Sequence, residues 1–319
     1  MVKISKDKFQ GFERITVEND QVSFSLLPQI GGKMISLIYK ETGHEHISLS
    51  ERPFRRPDYA GNFEDYDISG FDECFPTVVE SFYPEAPWKG IQVPDHGELW
   101  TLPWNSEIKG EALELSVTGV RFPYRLVKTF SLTGNKVNID YQLENLCSFG
   151  FKYIWSAHPL LKVNPGAKIV LPGNPEIRTD WSVNEKFGKL LYQTTWPNAE
   201  TPDGEMIDLS IIKTPDTNHA TKFITTALNE GWCALHDVST RSYLKISFPV
   251  EKIPYLGVWI NEGGWPLNGE PSYDVALEPC TGCPDKLATA IQRGEHARID
   301  ARTTQKWYLQ LTLGKNETD

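Results

Sequence analysis

Apolar and polar residues alternate with a period of two along most of the chain. Arg14-Ile15-Thr16-Val17 and Val22-Ser23-Phe24-Ser25-Leu26-Leu27 read as the first two strands, with Asn19-Asp20 supplying the turn between them. Gly31-Gly32 breaks the pattern before Met34-Ile35-Ser36-Leu37-Ile38-Tyr39. Leu113 to Val117 alternates cleanly, and so does Lys136 to Leu143, entered through Thr133-Gly134-Asn135. Further strands are predicted at 243–248, 255–260, 275–277 and 307–313. Alternation puts one face on a core and the other toward water or a second layer.

Helical periodicity is scarce. Pro284 opens one short predicted helix through Ile291, and Gly294 ends it. Many short strands, with 24 Gly and 22 Pro among them, favour an all-β sandwich over alternating βαβ units. No repeat of fixed period and no low-complexity linker divides the chain, so residues 1–319 are read as one domain. The least regular stretch, Glu51 to Gly70, is rich in Arg, Asp and Tyr. It is expected to form a long loop near one mouth of the sandwich, where ordered loops often serve function.

Composition narrows the partners. The net charge of −10 repels phosphate backbones, which argues against nucleic acid. No apolar run is long enough to span a bilayer and no basic amphipathic helix is evident, so no membrane partner is expected. The first eight residues are too polar for a signal peptide, and five Cys is an odd number. Both points lead to reduced thiols and a cytoplasmic location. Cys280 and Cys283 form a C-x-x-C pair with neither a second pair nor a nearby His, so no metal site is expected there. The ten Trp matter because flat apolar rings suit the C–H faces of sugars.

Candidate chemistry comes from three residues. His44, His46, His219 and His296 lie in polar, turn-like surroundings and read as surface groups, and His236 is ambiguous. His96 stands in Pro94-Asp95-His96-Gly97-Glu98-Leu99-Trp100, and its glycine allows a sharp turn or close backbone approach. His158 interrupts the apolar run Tyr153 to Leu161. Glu278 ends the apolar strand Val275-Ala276-Leu277, where a carboxylate must be paired or put to use. One carboxylate with two imidazoles suits proton transfer near neutral pH. No nucleophile elbow, phosphate loop or dinucleotide fingerprint is present.

Taken in order, several segments resemble the aldose 1-epimerase, or galactose mutarotase-like, superfamily. Leu27-Pro28-Gln29-Ile30-Gly31-Gly32 is similar to its opening Pro-x-x-Gly-Gly turn. Ser69 to Pro76 resembles the segment before its first histidine, His96-Gly97 its His-Gly pair, and Leu277-Glu278-Pro279 its Leu-Glu-Pro signature. The resemblance implies a large many-stranded antiparallel β-sandwich with an open cleft. It implies interconversion of the anomers of a free sugar, with no metal or organic cofactor. By the same resemblance Glu278 is the base on the anomeric hydroxyl, His158 the acid at the ring oxygen, and His96 a stabiliser of that oxygen. Asp72, Glu73, Trp155, Asp237 and Trp259 are the candidates for holding the sugar. Two alternatives remain at this point. One is a hexose-6-phosphate mutarotase using Arg52, Arg55 and Arg56 as a phosphate clamp, although Trp100 stands where that branch often has Arg. The other is a non-catalytic carbohydrate-binding protein on the same fold.

Overall fold

A computed structural model describes residues 1–315. Two antiparallel sheets carry most of the chain. The larger has twelve strands, in the order Lys3–Phe9, Phe12–Glu18, Val22–Leu27, Lys33–Tyr39, Phe71–Cys74, Ser156–Lys162, Tyr273–Cys280, Tyr255–Glu262, His219–Thr225, Glu176–Ser182 and Gln193–Thr195. The two-residue strand His44–Glu45 adds to Lys33–Tyr39. The smaller sheet has eight strands: Lys168–Val170, Trp232–Asp237, Ser242–Ser247, Thr304–Lys315, Lys136–Asn145, Tyr124–Thr133, Ala112–Thr118 and Asn105–Lys109.

The alternation does what its period requires. Leu113, Leu115 and Val117 are buried, as are Val137, Ile139, Tyr141 and Leu143, while Asp140 between them is exposed. These side chains meet the inner face of the larger sheet in one continuous core. Phe24 of the larger sheet lies 5.5 Å from Phe130 of the smaller, and Tyr141 lies 5.0 Å from Trp155. The turns follow the sequence signals. The Asn19 side chain accepts the amides of Gln21 and Val22 at 2.9 and 2.8 Å, an Asx turn that closes the first hairpin. Gly134, with φ +59°, turns the tight hairpin between Thr133 and Lys136.

Among the described residues there is one α-helix, Leu287–Arg293, closed by Gly294 in the left-handed conformation. It starts three residues after Pro284, later than predicted. Asp285 is drawn instead toward Lys222, at 2.7 Å, and its amide is held by Asp180 at 3.0 Å. Two histidines expected at the surface are buried. His44 and His46 meet edge to face at 4.5 Å, because the turn after Tyr39 folds them back onto their own strand. Burial pushes the His46 imidazole down to about 3.

The outer face of the larger sheet is also covered. The irregular Glu51–Gly70 segment lays Phe63, Tyr66 and Ile68 over it, where they pack with Trp100, Leu160 and Ala276. This second, smaller apolar cluster borders the site.

Candidate active site

Strand register builds the floor of a cavity on this outer face. In the larger sheet Asp72 pairs with His158, and Glu278 pairs with Gly257 on the next strand over. A second cross-strand row holds Leu160, Ala276, Trp259 and Lys222. Cross-strand partners share a face, so both rows project the same way. The cavity encloses about 420 Å³. Glu278, His158, His96, Lys222, Asp180 and Asp285 all line it, with Trp181, Trp259 and Trp265 as apolar walls.

His96 reaches the cavity from a loop. His96 and Gly97 both have positive φ, +56° and +70°. A Cβ on Gly97 would lie 2.0 Å from the Phe75 carbonyl oxygen, so only glycine fits there. The tight approach is to the protein's own backbone, and its effect is to aim His96. Its ring stacks on Phe63 at 4.1 Å and meets the His158 ring at 5.1 Å. The Asp95 carboxylate holds its Nδ1 at 2.7 Å.

His158 is buried, and its Nδ1 sits 3.1 Å from Asp72. Asp72 in turn lies 3.4 Å from the buried Lys33 ammonium, which also binds Asp67 at 2.6 Å. Burial raises the Asp72 carboxyl, but Lys33 and His158 outweigh it and bring it to about 2. Burial likewise disfavours the His158 imidazolium, yet Asp72 and Glu278 raise it above the ordinary 6.5. Nδ1 is thereby committed to Asp72 and Nε2 is left to carry a proton.

Glu278 is 1% exposed. Its Oε2 accepts from the Lys222 ammonium at 2.7 Å and lies 3.5 Å from Ser156 Oγ. Burial opposes its charge, but Lys222 and His158 hold it below the ordinary 4.5. Lys222 reaches Glu278 diagonally across Gly257. A Cβ there would come within 3.2 Å of the Glu278 Cβ and 3.4 Å of the Lys222 Cε. Lys222 also binds Asp285 at 2.7 Å. Burial lowers its ammonium, but Asp285 and Glu278 hold it well above the ordinary lysine range. Asp180 completes the group. Burial, reinforced by Asp285, pushes it to about 7. The register shift between Thr179 and Trp181 is a bulge that turns two successive side chains, Asp180 and Trp181, into the same cavity.

The expected sugar-binding residues divide. Trp259 lines the cavity, its indole N–H donating to Asp274 at 3.0 Å. Asp72 lies behind His158 and orients it. Three expectations are corrected. Glu73 alternates to the opposite face of its strand and is buried between Lys128, at 2.7 Å, and Tyr141, at 2.9 Å. Trp155 is fully buried between the sheets against Tyr141 and Trp307. Asp237 ends a strand of the smaller sheet, where it organises a turn through Ser239, Thr240 and Asn164. None of these three borders the cavity. The arginines considered as a phosphate clamp also lie outside it. Arg52 donates to the Glu64 carbonyl at 2.7 Å, and Arg55 to that of Asp65 while lying over the Tyr66 ring at 4.6 Å.

Lys222, Asp180, Asp285, Asp274, Trp181 and Trp265 were not singled out from the sequence. Lys222 had a readable signal: it keeps step with Ala220 and Ile224 in an apolar strand, where a lysine must find an acid. Asp180 had none, because a bulge breaks the period of two.

The C-x-x-C thiols are buried. Burial pushes Cys283 up to about 12 and Cys280 well above the ordinary value. Four of the five cysteines are buried, and Cys147 is partly exposed. In a native-state thiol titration one group, Cys147, should react quickly and four only after unfolding; fast reaction of a second thiol would contradict this burial. No group of His, Cys, Asp and Glu able to hold a metal ion occurs among the described residues.

Comparison with known proteins adds the fold. A sequence family described as a domain of unknown function (DUF5107) matches residues 3–63. No curated protein matches the chain. Solved structures match over nearly the full length. The Slr1438 protein from Synechocystis sp. PCC 6803 superposes with a TM-score of 0.71 at 17% identity, covering 98% of this chain and 99% of that one. A galactose mutarotase-like protein from Clostridium acetobutylicum gives 0.67 at 12% identity, covering 98% and 99%. Another from Lactobacillus casei gives 0.63 at 15%, covering 94% and 100%. The chain has the galactose mutarotase-like fold.

Proposed function

We propose, from this fold and the groups gathered in its cavity, that the protein is an aldose 1-epimerase acting on an unphosphorylated sugar. The observation that carries the reading is the convergence of Glu278, His158 and His96 on one cavity, where the surroundings shift Glu278 toward its ionised form and His158 toward its protonated form. That is the pairing ring opening needs. Glu278 takes the proton from the anomeric O1 hydroxyl as the electron pair forms the C1 carbonyl. The C1–O5 bond breaks and O5 takes the proton of His158. His96, held by Asp95 and stacked on Phe63, hydrogen-bonds the same oxygen and spreads its developing charge. Rotation about C1–C2 presents the other face of the aldehyde, and the same transfers in reverse close the ring as the other anomer. Each step is a proton transfer between positioned groups. The loop arginines, which lie outside the cavity, and the acidic cavity walls favour a neutral sugar over a phosphorylated one.

The test is anomer exchange followed by saturation-transfer NMR on a panel of aldoses, as a function of pH. The active form needs Glu278 ionised and His158 protonated. The kcat/KM profile should therefore be bell-shaped, with its acid limb below 4.5 and its alkaline limb above 6.5. Sugar binding with no exchange at any pH would leave a carbohydrate-binding protein instead.

A further inference from the structure

Most acids around the cavity are matched to a cation. Glu278 and Asp285 each lie 2.7 Å from the Lys222 ammonium. Asp95 lies 2.7 Å from His96, and Asp72 lies 3.1 Å from His158 and 3.4 Å from Lys33. Asp180, pushed to about 7, is in part the neutral acid, and its Oδ1 accepts the Asp285 amide. Asp274 differs from all of these. It is 2% exposed and lines the cavity, on the same strand face as Glu278. Its Oδ1 accepts the Trp259 indole N–H at 3.0 Å. Burial pushes its carboxyl up to about 6, against hydrogen bonds from Ser272 and Trp259 and the charge of His158 across the cavity. At neutral pH it is mostly ionised, and among the described residues no lysine or arginine forms an ion pair with it. A buried carboxylate without a cation is costly. A positive charge on the cavity's occupant offsets that cost.

The rings beside Asp274 suit the same charge. Trp181 and Trp259 stack at 5.8 Å with an interplanar angle of 30°. Trp265 stands almost perpendicular to Trp259, at 5.7 Å and 88°. All three line the cavity and are partly exposed. The bond from the Trp259 N–H fixes that ring beside the carboxylate. Asn261 fixes Trp265 by donating to its carbonyl at 2.8 Å and to Ser272 Oγ at 2.9 Å. An indole face attracts a cation within about 6 Å of its centre. An ammonium therefore gains twice over a hydroxyl here. It gives the carboxylate a charge-assisted hydrogen bond, and it gives the rings a cation–π contact. The walls that disfavour a phosphate thus favour a positive charge over none.

We propose that the sugar is an amino sugar, an aldose carrying an ammonium group that Asp274 holds against Trp259 and Trp265. This rests on the epimerase reading for the chemistry at C1 and names the substrate class of that site. The nitrogen takes no part in the reaction. Its binding energy holds the ring in place against Glu278 and His158.

The experiment compares anomer exchange of glucose at pH 7 with that of glucosamine, of its isomers with the amine at C3 and at C6, and of the N-acetylated form of each. Calorimetry gives the affinities. An amine of the α-amino class, with a pKa of about 7.7–8.0, is mostly protonated at that pH. At least one amino sugar should show a KM about tenfold below that of glucose, and acetylation of its amine should remove the advantage. Asp274→Asn keeps an acceptor for the Trp259 N–H and loses the charge. It should raise the amino-sugar KM about tenfold more than the glucose KM. The wild-type comparison decides the matter should the variant not fold. Amino-sugar KM values no lower than that of glucose overturn the proposal and leave the epimerase reading in place. An Asp274→Asn effect equal on both sugars also overturns it. If no sugar is epimerised but amino sugars bind selectively and Asp274→Asn removes that selectivity, the enzymatic reading falls and the ammonium site stands. Absence of both exchange and binding overturns both.

Discussion

Glu278→Gln should lower the rate of anomer exchange by about 10²–10⁴-fold while changing sugar affinity by no more than a few fold. The amide keeps the shape of the carboxylate and much of its hydrogen bonding, but it cannot accept the O1 proton at neutral pH. The surroundings favour a clean result. Lys222 loses one of its two acidic partners but keeps Asp285 at 2.7 Å, so no buried cation is left alone. Saturation-transfer NMR gives the rate, and calorimetry gives the affinity. Near-wild-type exchange would place the base elsewhere. Joint loss of binding and stability would make Glu278 only the counter-ion of Lys222.

Lys222→Met should have the largest effect on stability, about 3–5 kcal/mol at neutral pH, because it strips the cation from two buried acids. Glu278 and Asp285 are both buried, with Asp180 beside them, and Lys222 is the cation bonded to the first two. Without it, burial dominates: the Glu278 carboxyl, held down in the wild type, rises above its unfolded value, and that of Asp285, already raised by burial, rises further. The folded variant then holds more protons than the unfolded chain over that window. Its stability falls as pH rises through the raised values and recovers as pH drops below them. Denaturant unfolding at pH 5 and pH 8 should show the deficit shrinking at the lower pH. The acid limb of the rate profile should move upward, since Glu278 loses the charge that keeps it ionised. An acid limb fixed in place, with only stability lost, would show that Lys222 does not tune Glu278.

Much of the fold was legible because the core is regular. The strands around Leu113, Val137 and Trp307 bury alternate side chains, and a period of two is visible without a structure. The catalytic candidates were legible for another reason. His96-Gly97 and Leu277-Glu278-Pro279 are local features, and each carries a physical cost, a left-handed turn or a buried carboxylate, that shows in the sequence. The sugar-binding candidates were less so. Glu73 and Asp72 are adjacent, and only the pairing of Asp72 with His158 decides which of them lies on the cavity side of the sheet, behind His158. Trp155 falls by the same rule, standing an odd number of residues from His158. Lys222 acquires meaning only when Gly257 leaves a gap for it, a relation between two strands that lie far apart in sequence.

The strand Phe71–Cys74 carries Asp72 toward Lys33 on one face and Glu73 toward Lys128 on the other. A slip of one residue would exchange the faces, setting either Glu73 before Lys33 and Cys74 before Lys128, or Phe71 before Lys33 and Asp72 before Lys128. Either way one buried ammonium would lose its partner on this strand and the other would meet an acid of the wrong length. The two ion pairs therefore act as a key with teeth on both edges: the strand enters the sheet in one frame only. Drift at either acid has to be answered at its own lysine, so the four positions are expected to change as two independent couples. Exchanging the order to Glu-Asp in a double variant should cost about the sum of the two single variants, because each tooth fails against its own lysine.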